Sequence, residues 1–327
     1  MVENFRPGVC ARLGLHVEEL RKIHPSLIWT SISGFGQSGP RCLFPAYDMI
    51  VQALSGVMSL TGENVGPSVR LGIPAGDLVA GLYAAIAINA AIVERARTRQ
   101  GRLIDIAMLD CQLAVLSYQA EYTFVSGKTP QRQGARHDSI PTYRSFIAKD
   151  GEEFVVTANT ERMWRDLCVA LGLPSLAYDP RFANSTARLE NRSMLWPILE
   201  EAFAQQPAQY WVNELTAHHV PAALIKTVPE AIADAREGSR DMVIEVTAED
   251  GKSIAMIGNP IKFMGEKPPS PRFPPRLGEN TADILERLLD LSEEEITSLR
   301  ANRIIRAAEP AYQQQRNGIS GAPTVDD

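Results

Sequence analysis

The sequence predicts an α/β protein, and three stretches carry that prediction. Residues 26–33, SLIWTSIS, form an apolar run that ends in the glycine-rich loop GFGQSGP, as a buried strand does where it hands over to a helix. Residues 70–97, RLGIPAGDLVAGLYAAIAINAAIVERAR, place Pro-Ala-Gly-Asp ahead of a long, nearly uncharged helix. A turn at Gln100-Gly101 then leads into a short strand at 103–106 and another helix.

Residues 45–60, PAYDMIVQALSGVMSL, space their apolar side chains as one helix, which TGENVGP breaks. The helix that begins near Asp77 reads as a buried core or interface helix. Its apolar part, Leu78 to Val93, falls short of the roughly 20 residues a bilayer span needs, and it carries Asn89 and Glu94. Past residue 127 the texture turns polar and turn-rich, SGKTPQRQGARHDSIPTYRSFIAKDG, which marks a domain boundary ahead of the strand EEFVVTAN. Residues 161–235 read as helices: ERMWRDLCVALG, RLENRSMLWPILEEAFAQ and AQYWVNELTAHHV. Residues 240–265 form a β-hairpin candidate turning at Asp250-Gly251, followed by the extended arm KPPSPRFPPRLGEN. Two helices close the pattern in TADILERLLDLSEEEITSLRANRII, the second opening on a Ser292 capping box, before a polar tail from Arg306.

With 327 residues, 45% hydrophobic and 22% charged, the chain has the composition of a soluble globular protein with a sizeable core. A net charge of −6 without any Lys/Arg block argues against nucleic acid or an anionic membrane as partner. Cys10, Cys42, Cys111 and Cys168 lie far apart, which predicts neither disulfides nor a zinc site. The first residues lack an apolar signal segment, so a cytoplasmic address is expected. Only one clear βα unit precedes Asp77, and the chain is expected to lack the front of its sheet.

Asp77 is the candidate for chemistry. A carboxylate in the first turn of an apolar helix faces unpaired N–H groups and the positive end of the macrodipole, so it stays ionised where water is excluded. Aspartate is also a common N-cap, and this stretch alone leaves both roles open. His16, His24, His218 and His219 flank helix ends and read as structural.

The segments VENFRPG at 2–8, SGFGQSGP at 33–40, YDMIVQALSGVMSLTG at 47–62, GIPAGDLVAGLYA at 72–84, RTRQGRLIDIAMLD at 97–110 and PPRLGENTADIL at 274–285 resemble class III CoA-transferases, the formyl-CoA, carnitine and succinyl-CoA dicarboxylate group. The resemblance implies that Asp77, in Ala-Gly-Asp-Leu, is the nucleophile. It implies CoA contacts at Asn4, Phe5 and Arg12, and along Ala46, Tyr47 and Asp48 beside the pantetheine arm. The loop from Gly134 to Tyr143 resembles the substrate-facing segment of dicarboxylate-using members, where Arg136 or His137 would pair with an acceptor carboxylate. The tetraglycine lid of formyl-CoA transferase has no counterpart here.

The implied reaction is covalent: an acyl-CoA donor, an aspartyl anhydride, an aspartyl-CoA thioester, and transfer of CoA to a carboxylic acid acceptor. Thioester is exchanged for thioester, so the reaction calls for no metal or ATP, and CoA enters as a substrate. The implied architecture is an N-terminally incomplete form of an interlocked homodimer, with a Rossmann-like large domain and a small α+β domain. The expected division is 1–127 for the large-domain part with the CoA site, 128–240 for the small domain, 241–305 for a return to the large domain, and 306–327 for the tail. The long connections near 125–145 and 264–280 fit an associating chain better than a compact monomer.

Two other readings stay open. The α-methylacyl-CoA racemases share the fold but resemble Gly-His-Asp where this chain has Ala46-Tyr47-Asp48, and a tyrosine with an ordinary pKa of about 10 shuttles protons poorly. A catalytically impaired CoA-binding homologue is the other. Family members begin with a βα unit that supplies a polar group over the reacting carbonyl, and one such donor is worth about 10²–10³ in rate. Residues 1–327 alone are therefore expected to turn over slowly.

Overall fold

In a computed structural model, residues 1–248, 250–266 and 270–305 are described. The chain divides into two units, Met1–Ile225 and Lys226–Asp327.

The first unit opens with a three-stranded parallel sheet in the order β1-β2-β3 and the helices between its strands. In chain order these are β1 (Val2–Glu3), α1 (Val9–Arg12), α2 (Val17–Ile23), β2 (Trp29–Ser33), α3 (Asp48–Leu54), α4 (Val57–Leu60), α5 (Ala75–Thr98), β3 (Leu103–Ala107), α6 (Met108–Ala114) and α7 (Tyr118–Ser126). Glu3, Ser31 and Asp105 stand in register across the sheet. On the opposite face, Ile32 and Ile106 pack onto Val51, Ala80, Met108 and Cys111 of α3, α5 and α6. The glycine loop after β2 is held by β3, because the Gln37 N–H donates to Asp105 Oδ2 at 2.9 Å.

The same unit then forms an antiparallel sheet with four helices: β4 (Tyr143–Ile147), β5 (Glu153–Thr157), α8 (Glu161–Ala170), α9 (Ser185–Glu190), α10 (Arg192–Phe203), α11 (Ala208–Ala217) and β6 (Ala222–Leu224), in strand order β4-β5-β6. Most of the unit's buried apolar side chains lie here, around Phe154, Trp164, Leu195, Leu199, Phe203 and Leu215. Arg188 is buried with them, its guanidinium over the Trp164 ring and bonded to Glu161 and to the Phe182 carbonyl. That pairing holds the Glu161 carboxyl below its ordinary range.

The second unit contains α12 (Val228–Glu237), the hairpin β7 (Val243–Thr247) with β8 (Ser253–Ile257), α13 (Thr281–Leu289) and α14 (Glu293–Ala301), the last with the expected Ser292–Glu295 capping box. The polar tail from residue 306 lies outside the described residues.

Several expectations are corrected. The helix expected over 45–60 is two, because Gly56 takes a left-handed φ of 89° that only glycine adopts cheaply and so ends α3. Residues 143–147 belong to a strand rather than a polar loop; in β4, Phe146 is buried while Tyr143 and Ile147 stay exposed, and the hairpin with β5 satisfies their backbone. The three residues of β6 likewise interrupt the stretch read as all helix. Finally, of the core and interface roles open to α5, it takes the core role on one face only, where Ala80 and Ala84 are buried. Its Leu82 and Ile86 are 64% and 66% exposed, and at 24 residues it is long and apolar enough to cross a membrane by length and composition.

Candidate active site

All three strands of the parallel sheet run the same way, so Asn4, Gly34 and Met108, the residues that follow β1, β2 and β3, all lie toward its carboxyl edge. Open α/β sheets bind ligands at that edge. Asn4 and Phe5 leave β1 there, with the Phe5 N–H donating to Glu3 Oε2 at 2.8 Å. Arg12 ends α1 and makes no ion pair among the described residues, which leaves its guanidinium free for an anion. A cavity of about 520 Å³ adjoins this segment, between the sheet and α1 and α2. Glu3, Glu18, Glu19 and Asp105 outnumber Arg6 in its lining, a balance that repels a diphosphate, and the cavity does not reach Asp77.

Ala46 packs against Gly34 of the glycine loop. Tyr47 then caps α3 in an extended conformation with its side chain 81% exposed, so it is not a core residue of this chain. Asp48, the first residue of α3, points across to the start of α5, where its Oδ1 accepts the Gly76 N–H at 2.7 Å. The first turn of α5 can approach this closely because residue 76 has no side chain. A Cβ there would lie 2.8 Å from Val51 Cγ2 and 3.0 Å from Asp48 Oδ1.

Asp77 is thus the third residue of α5 and not its cap, since Pro74 occupies the cap position and Asp48 supplies the capping carboxylate. Its own carboxylate has no hydrogen-bond partner among the described residues, and the residue is exposed in the single chain. Partial burial, and then the negative charge of Asp48, push its carboxyl above the ordinary value of 3.8. This direction is the opposite of the one the macrodipole alone would give. Lost solvent, and then a neighbouring carboxylate, outweigh the dipole, whose effect on an exposed group is only about 0.3–1 kcal/mol. A more basic carboxylate is also a better nucleophile toward a thioester carbonyl. Thiols offer little competition: burial pushes Cys111 and Cys168 up, Cys168 to about 12, so neither holds a thiolate at neutral pH.

Arg136 and His137 are engaged in contacts of their own. The His137 ring stacks between Tyr118 and Tyr143, its centroid 6.0 Å and 5.4 Å from theirs, while its Nδ1 lies 3.1 Å from Asp138 Oδ1. Arg136 lies over Trp196, 3.9 Å from Glu63. The loop holding them is pinned to residues 62–68 by the Gly134 N–H on the Gly62 carbonyl and by Arg132 on Ser68. Gln52 was not singled out from the sequence, yet it organises the site. Buried on α3 one turn beyond Asp48, it donates to Asp48 Oδ2 at 2.7 Å and accepts the Leu71 N–H at 2.9 Å. The four-residue spacing of Asp48 and Gln52 on one helix is the signal that could have found it.

The CoA-transferase family III model matches residues 1–281. Acetyl-CoA:oxalate CoA-transferase of Acetobacter aceti is 39% identical over 284 residues, which span 86% of this chain and 72% of that protein. Succinyl-CoA:glutarate CoA-transferase of Homo sapiens is 33% identical over 298 residues, 91% of this chain and 68% of its own. Among solved structures, a CaiB/BaiF family protein from Brucella suis superposes with a TM-score of 0.76 at 36% identity, covering 88% of this chain and 74% of that one. A carboxylate at the carboxyl edge of a parallel sheet, in an α/β fold shared with these proteins, places the molecule: the chain belongs to CoA-transferase family III and is an enzyme that transfers coenzyme A to carboxylic acids.

Proposed function

We propose that Asp77 carries the transfer covalently. Its carboxylate oxygen attacks the acyl-CoA carbonyl, the C–S bond breaks, and CoA leaves as the thiolate. The thiolate attacks the aspartyl carbonyl of the resulting anhydride and expels the donor carboxylate, which leaves an aspartyl-CoA thioester. An acceptor carboxylate attacks that thioester and releases the thiolate again. The thiolate then takes the acceptor's acyl group and frees Asp77. No proton is gained or lost, and each bond broken is matched by one formed. The observation that carries this reading is a carboxylate of raised basicity, without a hydrogen-bond partner among the described residues, on the first turn of a helix that Asp48 caps. Asn4, Phe5, Arg12, Ala46 and Tyr47, on the same sheet edge, are proposed to line the CoA path. The acceptor is proposed to be a small dicarboxylate, the class named for the oxalate and glutarate relatives.

Mass spectrometry after incubation with acetyl-CoA, succinyl-CoA and oxalyl-CoA tests the chemistry. A CoA or acyl adduct on the Asp77 peptide is expected. Exchange of the α proton without an adduct would instead indicate the racemase reading, and neither signal would indicate a CoA-binding protein without turnover.

An anhydride survives only where water is excluded, and a single chain leaves Asp77 open. Leu78, Leu82 and Ile86 form an exposed stripe at four-residue spacing along the same helix. We propose that a second copy of the chain covers this stripe, in the interlocked homodimer that the resemblance implies. Leu82→Asp is expected to convert dimer to monomer in light scattering at micromolar concentration and to lower transfer with it. A native chain that runs as a folded monomer would overturn this assembly.

A further inference from the structure

We infer that Gln52 is the positioning residue of the Asp77 site: its side-chain amide fixes Asp48 against the first turn of α5 and ties the incoming segment to α3. The inference rests on Asp77 being the nucleophile. Gln52 is fully buried, and both ends of its amide are used in one direction. Nε2 donates to Asp48 Oδ2 at 2.7 Å and more weakly to the Ile73 carbonyl at 3.4 Å, while Oε1 accepts the Leu71 N–H at 2.9 Å. The other oxygen of Asp48 takes the Gly76 N–H at 2.7 Å. One amide therefore connects α3, residues 71–73 and, through Asp48, the residue that precedes Asp77.

The polarity of this link is specific. Asp48 needs a donor and Leu71 needs an acceptor, so an amide in this one orientation satisfies both, and a hydrocarbon of the same size satisfies neither. An apolar residue would fill the space at no desolvation cost, whereas a buried amide is tolerated because its partners are all present. What the amide adds is orientation. Asp48 is held where it caps α5 and where its charge bears on Asp77. Gln52 touches no reacting atom and acts through Asp48.

The test compares the native 327-residue chain with Gln52→Met and Gln52→Glu. Each is assayed for Asp77 adduct formation from acetyl-CoA, succinyl-CoA and oxalyl-CoA, and for kcat and KM across pH, with circular dichroism to confirm folding. Gln52→Met is expected to lower kcat about 10²-fold with the acyl-CoA KM nearly unchanged, as for a small misplacement of a reacting group. In Gln52→Glu the introduced carboxyl, while protonated, presents an O–H to Asp48 and a C=O to Leu71 as the amide does. That variant is expected to keep near-native kcat at acidic pH and to lose it as pH rises and the carboxyl ionises beside Asp48. A residue needed only for packing would lower stability in both variants without creating this limb. Folded variants with native kcat and a native pH profile overturn the inference. A native chain that forms no Asp77 adduct removes the nucleophile and the positioning role together, an outcome seen in the native protein and so distinct from variants that match a reactive one.

Discussion

Asp77→Asn is expected to yield a folded protein that binds acyl-CoA and exchanges no CoA, with turnover reduced at least about 10³-fold, as for loss of a covalent nucleophile. The amide is isosteric with the carboxylate but cannot form the anhydride. Folding should survive because the Asp77 side chain has no hydrogen bond to lose among the described residues, and because the cap of α5 belongs to Asp48. The stability effect has a definite sign. A carboxyl raised in the folded state favours folding below its unfolded pKa and loses that contribution as pH rises. At neutral pH, removing the charge therefore relieves a small repulsion from Asp48, and the melting temperature should stay level or rise slightly. CoA affinity should hold, since Asn4, Arg12 and the Tyr47 segment are untouched. Calorimetry with CoA, a thermal melt and a thioester-exchange assay check the three parts. A folded variant that still exchanges CoA at more than a small fraction of the native rate would move the nucleophile elsewhere.

How far the sequence reveals this arrangement depends on what each element's residues must satisfy. The helix that carries Asp77 is legible because Pro-Ala-Gly-Asp and a long apolar run admit little else. Its exposure is not, because an apolar stripe looks the same whether its cover comes from the same chain or from a second one. The strand at 26–33 and the hairpin at 240–265 are legible from β-branched runs bounded by turn residues. Residues 143–147 are not: Arg144 and Ser145 sit in a polar, turn-rich context, and only pairing with β5 reveals Phe146 as a core residue. The three-residue β6 is too short to carry a period at all.

Within the site, the type and place of Asp77 were legible, but its environment was not. The macrodipole argument concerns one helix, while the raised carboxyl comes from burial and from a charge on α3, a separate element. Arg136 and His137 have surroundings that the sequence did not announce: in the fold one lies over Trp196 and the other stacks between two tyrosines. Packing that crosses about 60 residues of sequence, as between Arg136 and Trp196, leaves no local signature.

The pH dependence of transfer is expected to fall off on the acid side at a pH above the ordinary carboxylate value of 3.8, and Asp48→Asn is expected to move that limb toward lower pH. In the proposed mechanism Asp77 attacks only when ionised, so activity is expected to be lost as pH falls through its raised pKa. Burial is the larger cause of the rise and the Asp48 charge the smaller. Removing the charge should therefore bring the limb part of the way down and no further. The same substitution should cost rate at neutral pH. An asparagine at 48 still offers an oxygen to the Gly76 N–H, but its amide nitrogen then meets the donor nitrogen of Gln52. If Gln52 turns over to accept from it, its nitrogen faces the Leu71 N–H. One bond of the network is lost either way, and the cap also loses its charge, so kcat at neutral pH should drop about 10-fold or more. A kcat-against-pH profile of both proteins from about pH 4 to about pH 8 decides the matter. A limb that stays in place in Asp48→Asn would mean that the charge on Asp48 does not reach Asp77, and that burial alone sets the basicity of the nucleophile.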